Sequence, residues 1–196
     1  MTGCPGAGSC KLGATLSKGV GAFGARGSAQ AISSGIGLSR FDEDPNFAKL
    51  ELHLGYQQPL PFGFAANFAA HGQSALRGVL PTSDLFSLDG EDRLSLFTTG
   101  ALSSDNGWVM RQELSYPLGP TEEPIAVSGT PYLFGALGDG TSAIKDTKGI
   151  GYNSVYGAGL RLSWQVVSVS MEFGRRLSDL PGVSATQFFF KGQVQF

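Results

Sequence analysis

The residues that could do chemistry are few. Gly19-Val20-Gly21-Ala22-Phe23-Gly24 has the G-x-G-x-x-G spacing that lets a backbone approach a dinucleotide pyrophosphate. That chemistry needs a following helix aimed at the phosphates. Gly27, Gly35 and Gly37 come next and predict none, and in a chain with 29 glycines the spacing arises easily. Asp42-Glu43-Asp44-Pro45 gathers three carboxylates that could hold a cation, but it lacks the glycine and distant Glu of a calcium loop, so it reads as a solvated loop tip. His53 and His71 fall on polar faces, and no zinc spacing can be assembled from them with Cys4 and Cys10. The two cysteines, in a Gly/Pro stretch, are compatible with a small disulfide loop or with two idle thiols in a tail. No Ser/His/Asp spacing suggests a nucleophile. The chain is therefore expected to be no enzyme and to carry no metal or cofactor.

Composition narrows the class. Of 196 residues, 15% are charged and 41% are hydrophobic, and the net charge is −2. The usual charged fraction is about 25%, and no basic footprint points to nucleic acid. There is no run of 18 apolar residues, the length a membrane helix requires. The start, MTGCPGAGSC, has no apolar core of the kind a secretory signal carries and reads as a flexible tail over 1–10.

The elements have period 2 almost throughout. Tyr152, Tyr156, Ala158, Leu160, Leu162 and Trp164 share one face, opposite Asn153, Gly157, Gly159, Arg161 and Ser163. Val167, Val169, Met171 and Phe173 alternate with Ser168, Ser170 and Glu172. Leu50, Leu52, Leu54 and Tyr56 alternate with Lys49, Glu51, His53 and Gln57. Phe62, Phe64, Ala66 and Phe68 read as the next strand, then Trp108, Met110, Leu114 and Tyr116 opposite Arg111 and Glu113. Pro131–Gly138 is a shorter strand, and one or two Gly-rich strands fit within 11–40. No ten residues read as an amphipathic helix. About eight strands are predicted.

The connections alternate between tight (around 58–61 and 164–166) and long (72–106, 138–151 and 177–186), with 117–130 intermediate. That asymmetry, with one apolar and one polar face per strand, predicts a transmembrane β-barrel: lipid outside, a polar interior, short turns at one end and long loops at the other. Such a sheet must close or continue into more strands, since an open edge in lipid leaves backbone groups unpaired. A β-sandwich also alternates. Against it stand the low charge, polar faces built from Ser, Gln, Asn and Gly, and aromatic residues near strand ends (Trp108, Tyr116, Trp164, Phe196).

The C-terminal strand is aromatic and ends on Phe: Phe188, Phe190, Val194 and Phe196 alternate with Gln187, Lys191 and Gln193. Outer-membrane barrels commonly finish this way, and the barrel-assembly machinery reads that strand. Gly192 lies one place nearer the end than the usual signal spacing.

One family resemblance rests on six ordered blocks. Ser83-Asp84-Leu85-Phe86-Ser87-Leu88-Asp89-Gly90-Glu91-Asp92 is followed by Gly100-Ala101-Leu102-Ser103-Ser104-Asp105-Asn106-Gly107-Trp108, and then by Arg111-Gln112-Glu113-Leu114 and Pro117-Leu118. Gln73 with Leu80-Pro81 lies upstream; Pro131-Tyr132-Leu133-Phe134 and Gly157-Ala158-Gly159-Leu160-Arg161 lie downstream. The whole resembles the two-partner-secretion transporters, the haemolysin secretion/activation proteins of the Gram-negative outer membrane. It covers 40–196 well and 11–40 loosely.

The resemblance implies a 16-stranded barrel preceded by periplasmic domains and a plug helix, exporting a large β-helical adhesin or haemolysin without ATP. This chain would be about the last eight strands, a C-terminal portion. Its loop 73–106 would fold into the pore, carrying Phe86, Gly90, Asp92, Arg93, Ser95, Phe97, Asp105 and Gly107 as candidate channel residues. Arg111 and Glu113 would join them from the next strand. The implied partners are the exported protein, outer-membrane lipid and the assembly machinery.

The departures are specific. The family's Val-Arg-Gly-Tyr tetrad is Leu94-Ser95-Leu96-Phe97 here, and its partner acid falls on Ala136. Both halves of a buried charge pair are thus expected to be missing together, which costs less than losing one. A shifted pair of Arg93 with Asp139 is the other arrangement considered. The alternatives to export are a stand-alone small outer-membrane barrel with a structural role and a soluble β-sandwich binding module.

Overall fold

The computed structural model describes residues 8–22, 25, 27–120, 127–144, 147, 149–179 and 184–195. Strand β1 (Ser9–Lys18) leads through a short helix, α1 (Ser28–Ser34), to β2 (Ala48–Pro59) and β3 (Ala65–Arg77). Two-residue strands β4 (Phe86–Ser87) and β5 (Ser103–Ser104) pair with each other inside the long loop. Then come β6 (Asn106–Ser115), β7 (Val127–Thr141), β8 (Asn153–Trp164), β9 (Val167–Ser178) and β10 (Ala185–Val194). The eight long strands form one antiparallel sheet in the order β1-β2-β3-β6-β7-β8-β9-β10. Among the described residues β1 and β10 are its edges, so the sheet is open. An even number of strands leaves those edges antiparallel to each other.

Alternation decides the two faces. Partners across the sheet share a face, and register places His53 opposite His71, Ala69 opposite Arg111, Arg111 opposite Ala136 and Gly159 opposite Glu172. That face is concave, and all the expected interior residues lie on it. The other face is oily and open: Leu12, Leu133, Phe173 and Phe188 are 81%, 61%, 61% and 62% exposed. Among the described residues no second sheet stacks on this face, which disposes of the sandwich. Trp108 and Tyr152 sit near its long-loop end, and Tyr116, against Phe64 at 5.0 Å between rings, sits with Trp164 at the short-turn end. These are the interface girdles of a membrane barrel. Among the described residues no helix is long and apolar enough to cross a membrane.

Several expectations shift. Phe62 and Phe64 are not on a strand: Pro61–Gly63 form a single 3-10 turn and β3 starts at Ala65. The long loop is 78–105, because Gln73–Arg77 still pair with β2 and β6. A helix does follow the glycine-rich segment, since Gln30 Oε1 accepts the Gly27 N–H at 2.8 Å and supplies a cap that the glycines concealed. It is only two turns long, and Phe23 and Gly24 of the fingerprint lie outside the described residues. Ser9 and Cys10, read as tail, are already in β1, and Cys10 is disulfide-bonded. Residues 1–7 and Phe196 lie outside the described residues.

The concave face is not simply wet. The loop folds back over it and contributes Phe86, Leu88, Leu94, Leu96, Phe97 and Leu102 to an apolar cluster with Val109, Tyr132, Phe134, Ala136 and Val155. Phe189 of β10, which the alternation turns inward, packs at its margin. The tetrad substitutions thereby acquire a physical meaning: Leu94, Leu96 and Phe97 are core residues.

Candidate functional site: a loop held inside the half-barrel

Between its two clusters of charge, the loop is a compact hairpin. Asp89, buried, accepts the backbone N–H groups of Gly100 (2.9 Å) and Leu102 (2.8 Å) and the Ser87 hydroxyl (2.6 Å), closing the β4–β5 hairpin from within. The turn at Gly90 accepts the Arg93 N–H at 3.1 Å. Phe86 packs over Gly107 and carries the Arg93 guanidinium 5.2 Å from its ring centre.

The first cluster joins the loop to the wall. Arg111 of β6 donates to Glu113 (2.8 Å), to Glu172 of β9 (2.8 Å) and to the Ser95 hydroxyl of the loop (2.8 Å). Ser95 in turn donates to Glu172. Tyr132 of β7 donates to the same carboxylate at 2.8 Å. It reaches across β8 because Gly159 has no side chain: a Cβ there would overlap the Tyr132 ring. Arg161 of β8 makes a bidentate pair with Glu113 at 2.9 Å for both bonds, with its guanidinium 4.0 Å over the Tyr132 ring. Two arginines face two glutamates, so the cluster is neutral, and Arg111 and Glu172 side chains are 2% and 0% exposed.

The two positions of the family's pair carry no charge, and a different pair, between two wall strands, stands beside them. The acid is not at Ala136, which is buried in the apolar cluster, nor the base at Ser95. Arg111 of β6 is the base of this pair and Glu172, three strands along the sheet on β9, the acid, with the short Ser95 fitting between them. The Arg93–Asp139 pair does not form either. Arg93 donates to the Ser87 carbonyl and lies 3.8 Å from Asp92. Asp139 pairs in register with Trp108, on the outward row, where no residue of the in-folded loop can reach it.

The second cluster ties the loop at the long-loop end. Asp105, fully buried, takes both arms of Arg40 at 2.7 and 2.8 Å, the Leu80 N–H at 3.0 Å and the Ala143 N–H at 2.8 Å. Burial pushes its carboxyl up, but Arg40 and the two backbone donors outweigh that and hold it below the usual 3.8. One side chain thus joins the β1–β2 connection, the base of the loop and the β7–β8 connection. Gln73 and Lys49 add bonds to the Asp84 carbonyl, each at 3.1 Å.

At the loop tip, Asp92 lies 3.0 Å from His71 Nε2 of β3, and neighbouring Glu91 accepts from Lys191 of β10. Adjacent residues thus touch strands from both ends of the arc β3 to β10. Asp42-Glu43-Asp44 is a turn: Glu43 accepts the Arg40 N–H at 3.2 Å and Asp44 the Asn46 N–H at 2.8 Å. No group of three or more His, Cys, Asp or Glu among the described residues could hold a metal. Phe188, Phe190 and Val194, with Gly192 between them, stand on the outward row of β10.

Of the candidate residues, the structure brings together Ser95, Arg111 and Glu113 in one cluster, and Phe86, Phe97 and Gly107 around the apolar core. It places Asp105 at the other end of the loop. Glu172, Tyr132, Arg161, Asp89 and Arg40 complete the site. Glu172 and Arg161 carried a signal, being charged residues on polar strand faces, and Tyr132 and Asp89 lay in the blocks of the resemblance; Arg40 carried none.

The chain matches the family described as haemolysin secretion/activation protein ShlB/FhaC/HecB over residues 3–162. Among solved structures it is similar to CdiB from Escherichia coli, with a TM-score of 0.71 and 22% identity, over 95% of this chain and 33% of that one. The chain therefore spans about a third of that protein's length. No curated protein sequence matches it.

Proposed function

Because this chain belongs to the haemolysin secretion/activation family, whose members are outer-membrane barrel transporters, we propose that it forms part of the wall of a pore exporting a large β-helical exoprotein. The observation that carries this reading is the in-folded loop. A filled or purely structural sheet has no need of a 28-residue segment (78–105) held on its concave face by a neutral cluster of two arginines and two glutamates. The wall residues do no bond chemistry. They hold the loop, and the remaining polar face offers a passing chain weak contacts. Lipid covers the outward row, and the assembly machinery engages β10 through Phe188, Phe190 and Val194. Export energy comes from folding of the exoprotein outside.

The test is secretion. The protein expressed in a Gram-negative host with a two-partner exoprotein should fractionate with the outer membrane and release the exoprotein into the medium. Recovery of the protein as a monodisperse species without detergent would overturn the reading.

A further inference from the structure

The outward face is apolar by alternation, so a charge on it stands out. Among the described residues the outward rows of the long strands carry three cations, Lys18, Arg77 and Arg175. Lys18 and Arg77 are the last residues of β1 and β3, both in register with Ala48. Arg175 is different. It lies within β9, exposed, between the outward Phe173 and Leu177. All three stand toward the long-loop end, and none at the short-turn end, where Trp164 and Tyr116 lie.

Register sets a hydroxyl on each side of Arg175. Its partner on β8 is Tyr156 and its partner on β10 is Thr186, both exposed. Side chains directly opposite on neighbouring strands have Cβ atoms about 5 Å apart, so a guanidinium and two hydroxyls form one line across three strands. Both neighbours of β9 are in place, so this line faces outward whether or not the sheet continues beyond β10. None of the three side chains takes part in the hydrogen bonds or ion pairs formed among the described residues. The outward carboxylate Asp139 is two strands away on β7, beside Trp108.

A guanidinium among acyl chains is costly, and the cost falls toward the headgroups. Arg175 is three residues from the end of β9, close enough for its long side chain to reach the headgroup level. The long loops of a barrel of this type are external, so those headgroups belong to the outer leaflet, which in a Gram-negative outer membrane is built of phosphorylated glycolipid. Arginine pairs with phosphate through two parallel N–H bonds, and flanking hydroxyls can donate to the remaining oxygens. We propose that Arg175, Tyr156 and Thr186 form a binding site for the phosphorylated headgroup of an outer-leaflet glycolipid. The site needs the barrel to stand in the outer membrane and does not depend on export.

The full-length protein in neutral detergent, titrated with bisphosphorylated lipid A and read by native mass spectrometry, should retain one lipid at this site. Arg175→Gln should weaken that retention about tenfold. Tyr156→Phe or Thr186→Val should each weaken it about threefold. Arg175→Lys, which keeps the charge and loses the fork, should fall between. Arg175→Gln removes a charge from a lipid-facing row, so its barrel should fold, as heat-modifiable gel mobility will show. Lipid A stripped of both phosphates should bind the unsubstituted protein no better than bisphosphorylated lipid A binds Arg175→Gln. Equal retention by Arg175→Gln, or equal retention of the stripped lipid, would overturn the site. Displacement of the lipid by equimolar inorganic phosphate would overturn the glycolipid as its ligand. Secretion is not the readout, so each of these results leaves the export reading standing.

Discussion

The inner faces of β6–β9 and of β1–β2 come from the same alternating pattern, yet they do opposite things. The first carries long charged and aromatic side chains, and a loop closes over it until Arg111 and Glu172 are out of contact with solvent. The second carries Lys11, Glu51 and His53 among smaller polar side chains and, among the described residues, is left uncovered by the loop except at Lys49. Alternation decides only which residues point inward. Whether an inward residue becomes part of a core or part of a water-lined wall depends on what the long loop does.

The sharpest way to break this comparison is to strand a charge on the gripped side. Arg111→Ala leaves Glu172 and Glu113 facing each other without their shared guanidinium, and should cost about 3–5 kcal/mol, read from urea unfolding in detergent micelles. Ser95→Arg alone should be nearly as damaging, since it puts a third guanidinium into a neutral cluster. Combining it with Arg111→Ser moves the cation to the position where the family resemblance places it. That double variant should recover at least half of the loss, which a double-mutant cycle measures. Leu94→Ala removes a fully buried side chain from the loop's own core and should cost about 3 kcal/mol by the same unfolding assay.

Asp105→Ala should cost about 2 kcal/mol through lost charge-assisted bonds, seen as faster protease cleavage within 19–47. The pH dependence has a definite sign. The folded carboxyl is held below its ordinary value of 3.8, so its contribution is complete above that value. It is lost as the pH falls through the lower, folded one. Acidification below 3.8 should therefore raise cleavage of the β1–β2 connection, and Asp105→Asn should lack that response. The smallest effect belongs to the bare side: Thr15→Ser or Gln57→Ala should change stability by no more than about 0.5 kcal/mol, whatever each does to export. A large loss there would mean that β1–β2 is as tightly packed as β6–β9.

Most of the strand plan was legible because it is local. Leu50-Glu51-Leu52-His53-Leu54 states its two faces within five residues, and register with β3 then follows from burying one of them. Phe62 and Phe64 were misread because aromatic alternation runs straight through a turn that Pro61 begins. The loop's entry into the interior was readable only through the family resemblance, and its bonds were not readable at all. Ser95 taken alone announces a lost cation. Its meaning comes from Arg111, 16 positions away, and Glu172, 77 positions away.

By itself, then, the sequence determined that eight strands alternate, that their oily side faces out, and that long and short connections fall at opposite ends. Each of these depends on neighbours along the chain, where the two-residue repeat of an extended backbone controls direction. Only the tertiary structure decided that Arg111 and Glu172 pair across the wall with Ser95 between them, that Asp105 joins three connections, and that the loop closes over β6–β9. These depend on how far side chains reach across a curved sheet from strands and loops distant in sequence, and residue spacing carries no record of that distance.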